Sequence, residues 1–124
     1  MSQDIVADSL NEMTNIRRAG KTSIELKHYS KLLLSILALV KLKGFVKEYK
    51  ITNKLLKIEL NNINKIQSIK PRFTVRVDEI EKYVQRYLPA KNIGFIIIST
   101  PQGLMTHHTA LEKRIGGSLI AYIY

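Results

Sequence analysis

The residues best suited to chemistry follow one short apolar run near the carboxyl end of the chain. Phe95 to Ile98 are four consecutive β-favouring apolar residues, and they lead into the polar group Ser99, Thr100, Pro101, Gln102 and Gly103. Such a run, bounded by turn residues, is typical of a strand covered on both faces, so we expect a central strand. Hydroxyl and amide groups at the end of a rigid strand offer donors and acceptors in a fixed place. The pattern predicts a loop from Ser99 to Gly103 that reads the edges of nucleic-acid bases.

Two histidines close to this loop raise the alternative of catalysis. His107 and His108 are adjacent, so on a helix their side chains should point to different sides, which is poor geometry for binding one metal ion. The chain has no His-Glu-x-x-His pattern, and neither Ser99 nor Thr100 lies in a Gly-x-Ser-x-Gly elbow. The glycines lack the spacing of a phosphate-binding loop. We expect no enzymatic activity, no metal and no cofactor; the alternative is an RNA-processing enzyme that uses His107 or His108.

Positive charge is distributed unevenly along the 124 residues. The chain has 20 Lys and Arg against 10 Asp and Glu, a net charge of +10, and residues 16–76 contain 15 of the basic and 3 of the acidic side chains. A basic surface on one part of a folded protein is typical of proteins that bind a polyanion, most often nucleic acid. The alternatives are a solvated lysine-rich surface and a basic adaptor that holds protein partners through Tyr122 and Tyr124.

Composition also narrows the class of protein. There is no cysteine, so disulfides and thiolate zinc sites are excluded, which suits a reducing compartment. No apolar run reaches the roughly 18 residues that span a membrane. The early acidic residues Asp4, Asp8 and Glu12 are unlike a targeting segment. We expect a soluble, cytoplasmic protein with no membrane partner.

The amino end predicts an amphipathic helix with a basic end. Ser2 can cap this helix, apolar residues recur at helical spacing, and Gly20 ends it. The helix dipole favours cations at the carboxyl end of a helix. A polar cluster lies there: Asn15, Arg17, Arg18 and Lys21.

A strand, a second helix and a hairpin should complete the first half. Residues 22–27 alternate between apolar and polar, Ser30 can cap a helix, and Thr52–Asn53 separates two strand-like runs, 45–51 and 55–60. Lysines occur throughout the hairpin. The apolar stripe of the second helix should form core: Leu33, Leu34, Ile36, Leu37, Val40 and Leu42.

The second half should be richer in strands. After a connection near residues 61–65, residues 66–77 are extended, with one apolar face and one basic face that includes Arg72. Asp78 should cap a third helix that Pro89 stops, and Thr106 should cap a short helix. A tight turn at Gly116–Gly117 and a closing strand then end the chain. The overall prediction is a mixed α/β protein of the α+β type with two small packed halves, residues 1–62 and 63–124.

Several of these motifs resemble one known family. The order Ser-Thr-x-x-Gly-x-Met-x-His from Ser99, a short helix, Gly-Gly and a closing apolar strand is similar to the universal small-subunit ribosomal protein eight family. The likeness extends over nearly the whole chain. It includes Asp8 to Asn11, Asn15 to Lys21, and the segments 69–73 and 88–90, whose spacings resemble the eukaryotic and archaeal branch.

This resemblance implies a structural protein of the small ribosomal subunit. Members of the family have two domains, bind a helix of the central domain of rRNA early in assembly, and support translation. Neighbouring small-subunit proteins would be further partners, and the chain would be a monomer within the cytosolic ribosome. The residues expected to contact rRNA are Asn15, Arg18, Lys21, Ser30, Lys31, Arg72, Ser99, Thr100, Gln102, Gly103, Gly116 and Gly117.

The chain departs from the family pattern at three positions. Pro101 stands where the family has a third serine, and proline donates no hydrogen bond from side chain or backbone. Pro101 would instead stiffen the loop. Thr109 and Leu111 stand where the motif has Glu and Arg, which removes one local ion pair and leaves the fold unchanged.

Overall fold

A computed structural model describes residues 5–61, 63–70, 72–90 and 92–124. The predicted helix cap at Ser2, the acidic residue Asp4, and Asn62 and Pro71 lie outside the described residues. The chain forms two units, Met1–Ile66 and Gln67–Tyr124. Both contain helices and antiparallel strands, which confirms the predicted α+β class. The functional division into residues 1–62 and 63–124 stays a prediction.

The first unit contains two helices whose apolar sides are buried. Helix α1 spans Ile5–Arg18, and α2 spans Lys31–Leu42. The Ser30 hydroxyl accepts from the Leu33 amide (3.2 Å), so the predicted cap of α2 is confirmed. Leu42 was expected in the core, and that was wrong: it is 80% exposed because it lies two residues after Val40, on the other side of the last turn. The fully buried side chains of α2 are Leu33, Ile36, Leu37 and Val40.

A three-stranded antiparallel sheet completes the first unit. It consists of β1 (Ser23–Leu26), β2 (Val46–Thr52) and β3 (Leu55–Leu60), in the order β1-β3-β2. Thr52 pairs with Leu55, so the turn is Asn53–Lys54 rather than Thr52–Asn53. Both turn residues have positive φ, +52° and +63°, as a type I′ hairpin turn requires.

The second sheet is built around the predicted central strand. It contains β4 (Ile66–Ser68), β5 (Thr74–Val75), β6 (Phe95–Thr100), β7 (Gly103–Thr106) and β8 (Gly117–Ile123). The order is β4-β8-β6-β7, with β5 also on β8. Residues 95–98 are at most 4% exposed, which confirms a strand covered on both faces. Two expectations change: β6 continues through Ser99 and Thr100, and the short strand β7 was not predicted.

Local side-chain to backbone hydrogen bonds mark where the helical segments of the second unit begin. A single 3-10 turn, Val77–Glu79, precedes α3 (Ile80–Tyr87). The Arg76 amide donates to the Glu79 carboxylate (2.9 Å), whereas Asp78 lies 3.4 Å from the Arg76 guanidinium. The predicted cap at Asp78 is therefore wrong, because the 3-10 turn begins at Val77 and its N-cap is Arg76, two residues before Asp78. Helix α4 spans His107–Lys113, and Thr106 caps it as predicted by accepting from the Thr109 amide (3.3 Å).

Candidate nucleic-acid interface

The turn between β6 and β7 is held closed by one threonine. Thr100 pairs with Gly103 across the hairpin, which leaves only Pro101 and Gln102 in the loop. The Thr100 hydroxyl donates to the Gly103 carbonyl (2.8 Å) and accepts from the Gln102 amide (3.1 Å). The residue is 8% exposed. Thr100 was predicted to contact bases directly, but its hydroxyl is engaged within the protein and positions the turn.

The groups that face outward at this turn are its neighbours. Ser99, Gln102 and Gly103 are exposed, and Lys113 Nζ donates to Gln102 Oε1 over 3.5 Å, at the limit of a hydrogen bond. Gly103 has φ +114°, and an added Cβ would meet nothing within 4 Å. Position 103 favours glycine because of this backbone conformation, and the space beside it is open to a ligand.

Gly116 and Gly117 are required by close backbone packing. A Cβ at Gly116 would collide with the Val75 carbonyl, and one at Gly117 with the Ser99 carbonyl. The left-handed residue of the preceding turn is Arg114, with φ +57°, so the expected tight turn at the glycine pair is corrected. Gly117 lets β8 lie directly against the backbone of Ser99, and so fixes the strand that carries the turn.

A second group of predicted residues lies on the first unit. Asn15 and Arg18 are exposed and three residues apart on α1, so they lie on one side of its last turns. Lys21 is exposed too, and its amide donates to the Ile16 carbonyl (3.1 Å), which holds it against the helix end. Arg17 differs: it is half-buried and its Nε donates to the Ile63 carbonyl (3.3 Å). Three of the four polar residues at this helix end therefore face solvent.

The remaining predicted contacts are at the start of α2 and before β5. Lys31 and Arg72 are exposed. The Ser30 oxygen is occupied by the Leu33 amide, so Ser30 acts first as a helix cap. Ser30 and Lys31 belong to the first unit, whereas Arg72 and the β6–β7 turn belong to the second.

The two histidines lie in different environments although their rings touch. Their ring centroids are 4.0 Å apart, while His107 is buried and His108 is exposed. His107 is 2% exposed, and its Nδ1 accepts from the Ile96 amide (3.0 Å). Burial, and then the charge of His108, lower the pKa of His107 from 6.5 to about 4. A neutral, hydrogen-bonded imidazole beneath the sheet is a structural group, and sequence offered no sign of this except its place beside the Thr106 cap.

The described residues contain neither a group of metal ligands nor a helix that could span a membrane. Within residues 5–61, 63–70, 72–90 and 92–124, no three His, Asp or Glu side chains are grouped so that they could hold a metal ion. In that part of the chain no helix is both long and apolar enough to cross a membrane.

Comparison with known proteins shows the family of the chain. Residues 4–124 match the family described as ribosomal protein S8. The chain is 43% identical over 129 residues to the small ribosomal subunit protein uS8 of the archaeon Nanoarchaeum equitans (strain Kin4-M), with 100% of both chains covered. The archaeal source of this relative is in keeping with the predicted branch. The chain belongs to the ribosomal protein S8 family.

Proposed function

We propose that the protein is a structural constituent of the small ribosomal subunit that binds a helix or internal loop in the central domain of rRNA. It supports subunit assembly and translation in the cytosolic ribosome, as a monomer beside other small-subunit proteins. Family membership and the full-length likeness to an archaeal uS8 support this proposal. The net charge of +10 suits a polyanionic partner.

The closed turn between β6 and β7 is the observation that carries the proposal. Ser99, Gln102 and Gly103 place short polar groups and an open backbone at the end of the central strand. Double-stranded RNA offers a wide, shallow minor groove, and proteins reach its 2′-hydroxyls and base edges there. Short groups on a rigid turn suit that surface better than long flexible side chains. Thr100 keeps the turn closed from inside.

The exposed cations would supply affinity rather than sequence preference. Arg18, Lys21 and Lys31 on the first unit, with Asn15 beside them, and Arg72 on the second suit phosphate contacts. Such contacts position a protein and make binding salt-dependent, but they carry no sequence information. In this proposal Ser30, Gly116 and Gly117 act mainly through the backbone they hold in place.

The alternatives lose support for different reasons. Ribosomal protein S8 is a family of structural ribosome components, so the chain is not an enzyme. Of the two histidines on which the enzyme alternative depended, His107 is buried and hydrogen-bonded to β6, and His108 is exposed. For the adaptor alternative, the Tyr122 hydroxyl donates to Gln67 Oε1 (3.1 Å) and its ring stacks on Tyr87, so Tyr122 is already engaged within its own unit.

The proposal is tested by the binding of purified protein to a short hairpin from the central domain of its own small-subunit rRNA. A fully paired duplex of equal length is the control, and both are titrated at several salt concentrations. We expect the hairpin to be preferred at physiological salt, because contacts to irregular bases persist when phosphate attraction is screened. Equal binding to both RNAs, lost together as salt rises, would contradict the proposal.

A further inference from the structure

Three hydroxyl side chains lie in one line across the second sheet. Ser118 on β8 is directly opposite Thr74 on β5 and also directly opposite Ser99 on β6. Directly opposite residues in antiparallel strands project from the same face. We call Thr74, Ser118 and Ser99 the hydroxyl row. Only Ser99 was predicted as a contact residue, since nothing in the sequence indicates that these three strands are neighbours.

The hydroxyl row faces away from the core of its unit. Val75, Leu119 and Ile98, the next residues on the three strands, belong to that core. Because successive side chains alternate between the faces of a strand, the row lies on the opposite face. Thr74 and Ser99 are exposed and Ser118 is half-buried. Thr74 Oγ1 and Ser118 Oγ are 3.3 Å apart, which aligns the two hydroxyls and leaves each with further hydrogen-bonding capacity.

Positive charge flanks the row. Arg72 and Arg76 lie two residues before and two residues after Thr74, and Phe73 and Val77 beside them pack on the core. Arg72 is exposed. The Arg76 side chain is 79% exposed, and its contacts with Asp78 (3.4 Å) and Glu79 (3.5 Å) are solvent-screened pairs of little strength. The surface therefore combines small donor-acceptor groups with cations at its border.

We infer that the hydroxyl row is a ribose-recognition surface that distinguishes RNA from DNA. A 2′-hydroxyl is both donor and acceptor, as each side chain of the row is, and it is the group that DNA lacks. Neighbouring strands are about 4.8 Å apart, so the row presents regularly spaced hydroxyls to a backbone lying across the strands. Arg72 and Arg76 then face the adjacent phosphates. The inference rests on the proposed RNA binding and deepens it by naming the chemical group that is read.

The test removes the hydroxyls of Thr74 and Ser118, the two members of the row that are distant from the β6–β7 turn in the chain. Thr74→Val and Ser118→Ala are combined in one variant, and Thr52→Val, an exposed threonine on the first unit, is the matched control. The probes are the central-domain rRNA hairpin and a hairpin of the same sequence made of DNA. The readouts are both dissociation constants, their salt dependence, and the thermal unfolding temperature of each variant.

We expect the double variant to bind the RNA hairpin about tenfold more weakly, through the loss of two hydrogen-bonding groups, while its binding to DNA stays the same. The salt slope should not change, because no charge is removed. Thr74→Ser, which keeps the hydroxyl, should retain most of the RNA preference.

Two results would overturn the inference. One is a double variant that keeps the full RNA-over-DNA ratio of the unaltered protein; the other is an equal loss for both nucleic acids. In either case the unaltered protein can still select the rRNA hairpin over a paired duplex, so the proposed function survives. A protein that shows neither selectivity overturns both.

Discussion

At the scale of single residues, buried polar groups explain how the site is held. The His107 imidazole accepts from the Ile96 amide, so the start of α4 is tied to the central strand β6. The Thr100 hydroxyl bridges both ends of the β6–β7 turn. Each side chain hydrogen-bonds to the backbone of its own unit, and replacing either should cost more than a surface substitution.

His107 should make folding stability depend on pH. Its folded pKa, about 4, lies below the ordinary value of 6.5, so the unfolded chain binds the proton more tightly. The stabilisation is complete above pH 6.5 and is lost as pH falls toward 4, by up to about 3 kcal/mol. Urea unfolding at several pH values between 4 and 7 measures this loss.

The matched variants are His107→Asn and His28→Asn. Asparagine at position 107 keeps an acceptor for the Ile96 amide but does not titrate in this range. The stability of that variant should therefore change less between pH 6.5 and 4. His28→Asn, at an exposed position, is the control for the replacement of a histidine as such. Identical pH profiles for all three proteins would show that His107 is not responsible.

At position 100, folding stability should depend on the hydroxyl group rather than on the size of the side chain. Thr100→Val keeps the shape but leaves the Gln102 amide and the Gly103 carbonyl without their partner, at a cost of about 1–3 kcal/mol in the free energy of unfolding. Thr100→Ser should stay close to the unaltered protein. The same ranking is expected for selectivity between the rRNA hairpin and the paired duplex. Equal RNA selectivity in Thr100→Val would mean that the closed turn is not needed for recognition.

At the scale of elements, the two hairpin turns differ in which residues adopt a positive φ. In the β6–β7 turn, the loop residues are Pro101 and Gln102, and the residue with positive φ is the glycine that follows them, Gly103. The β2–β3 turn places positive φ on Asn53 and on Lys54, which carries a side chain. Asparagine tolerates this conformation, whereas an ordinary L residue is strained in it.

Lys54→Gly should therefore stabilise the protein by about 1 kcal/mol, because glycine adopts φ +63° without strain. Thermal unfolding in high salt, where the lost charge matters least, measures the gain. Lys50→Gly is the matched control: it removes a lysine from the interior of β2, where glycine weakens a strand, so it should destabilise. A lower unfolding temperature for both variants would show that the Asn53–Lys54 turn is not strained.

At the scale of the whole molecule, the basic side chains and the polar turn lie mainly in different parts of the chain. Of the 20 basic side chains, 15 lie in residues 16–76, whereas the polar turn and the hydroxyl row lie beyond that segment or at its carboxyl-terminal end. Attraction to phosphates should thus come mainly from one part of the chain, and discrimination between RNAs from another.

Arg18→Gln tests this separation. Losing one phosphate contact should lower the slope of log affinity against log salt by about 1, with hairpin-over-duplex selectivity unchanged. Lys82→Gln, an exposed position on α3 outside the predicted contacts, serves as the control and should leave the slope unaltered. If Arg18→Gln changed selectivity and not the slope, Arg18 would be a base contact and the assignment of phosphates to α1 would be wrong.

What sequence by itself determined here is local. The helix caps at Ser30 and Thr106 follow from backbone preference within a few residues, as does the end of α1 two residues before Gly20, whose φ is +80°. The burial of residues 95–98 in β6 follows from side-chain periodicity over a similarly short range. The family motif from Ser99 to His107 was recognisable for the same reason, because it is continuous in the chain.

Only the tertiary structure decided which polar groups face solvent and which are engaged within the protein. The Thr100 hydroxyl donates to the Gly103 carbonyl, and the His107 imidazole accepts from the Ile96 amide. Position 117 must be glycine because a Cβ there would collide with the Ser99 carbonyl. The hydroxyl row exists because β5, β8 and β6 are neighbours, although Thr74 and Ser118 are 44 residues apart in the chain. Strand pairing and burial depend on contacts distant in sequence, and local patterns contain little information about such contacts.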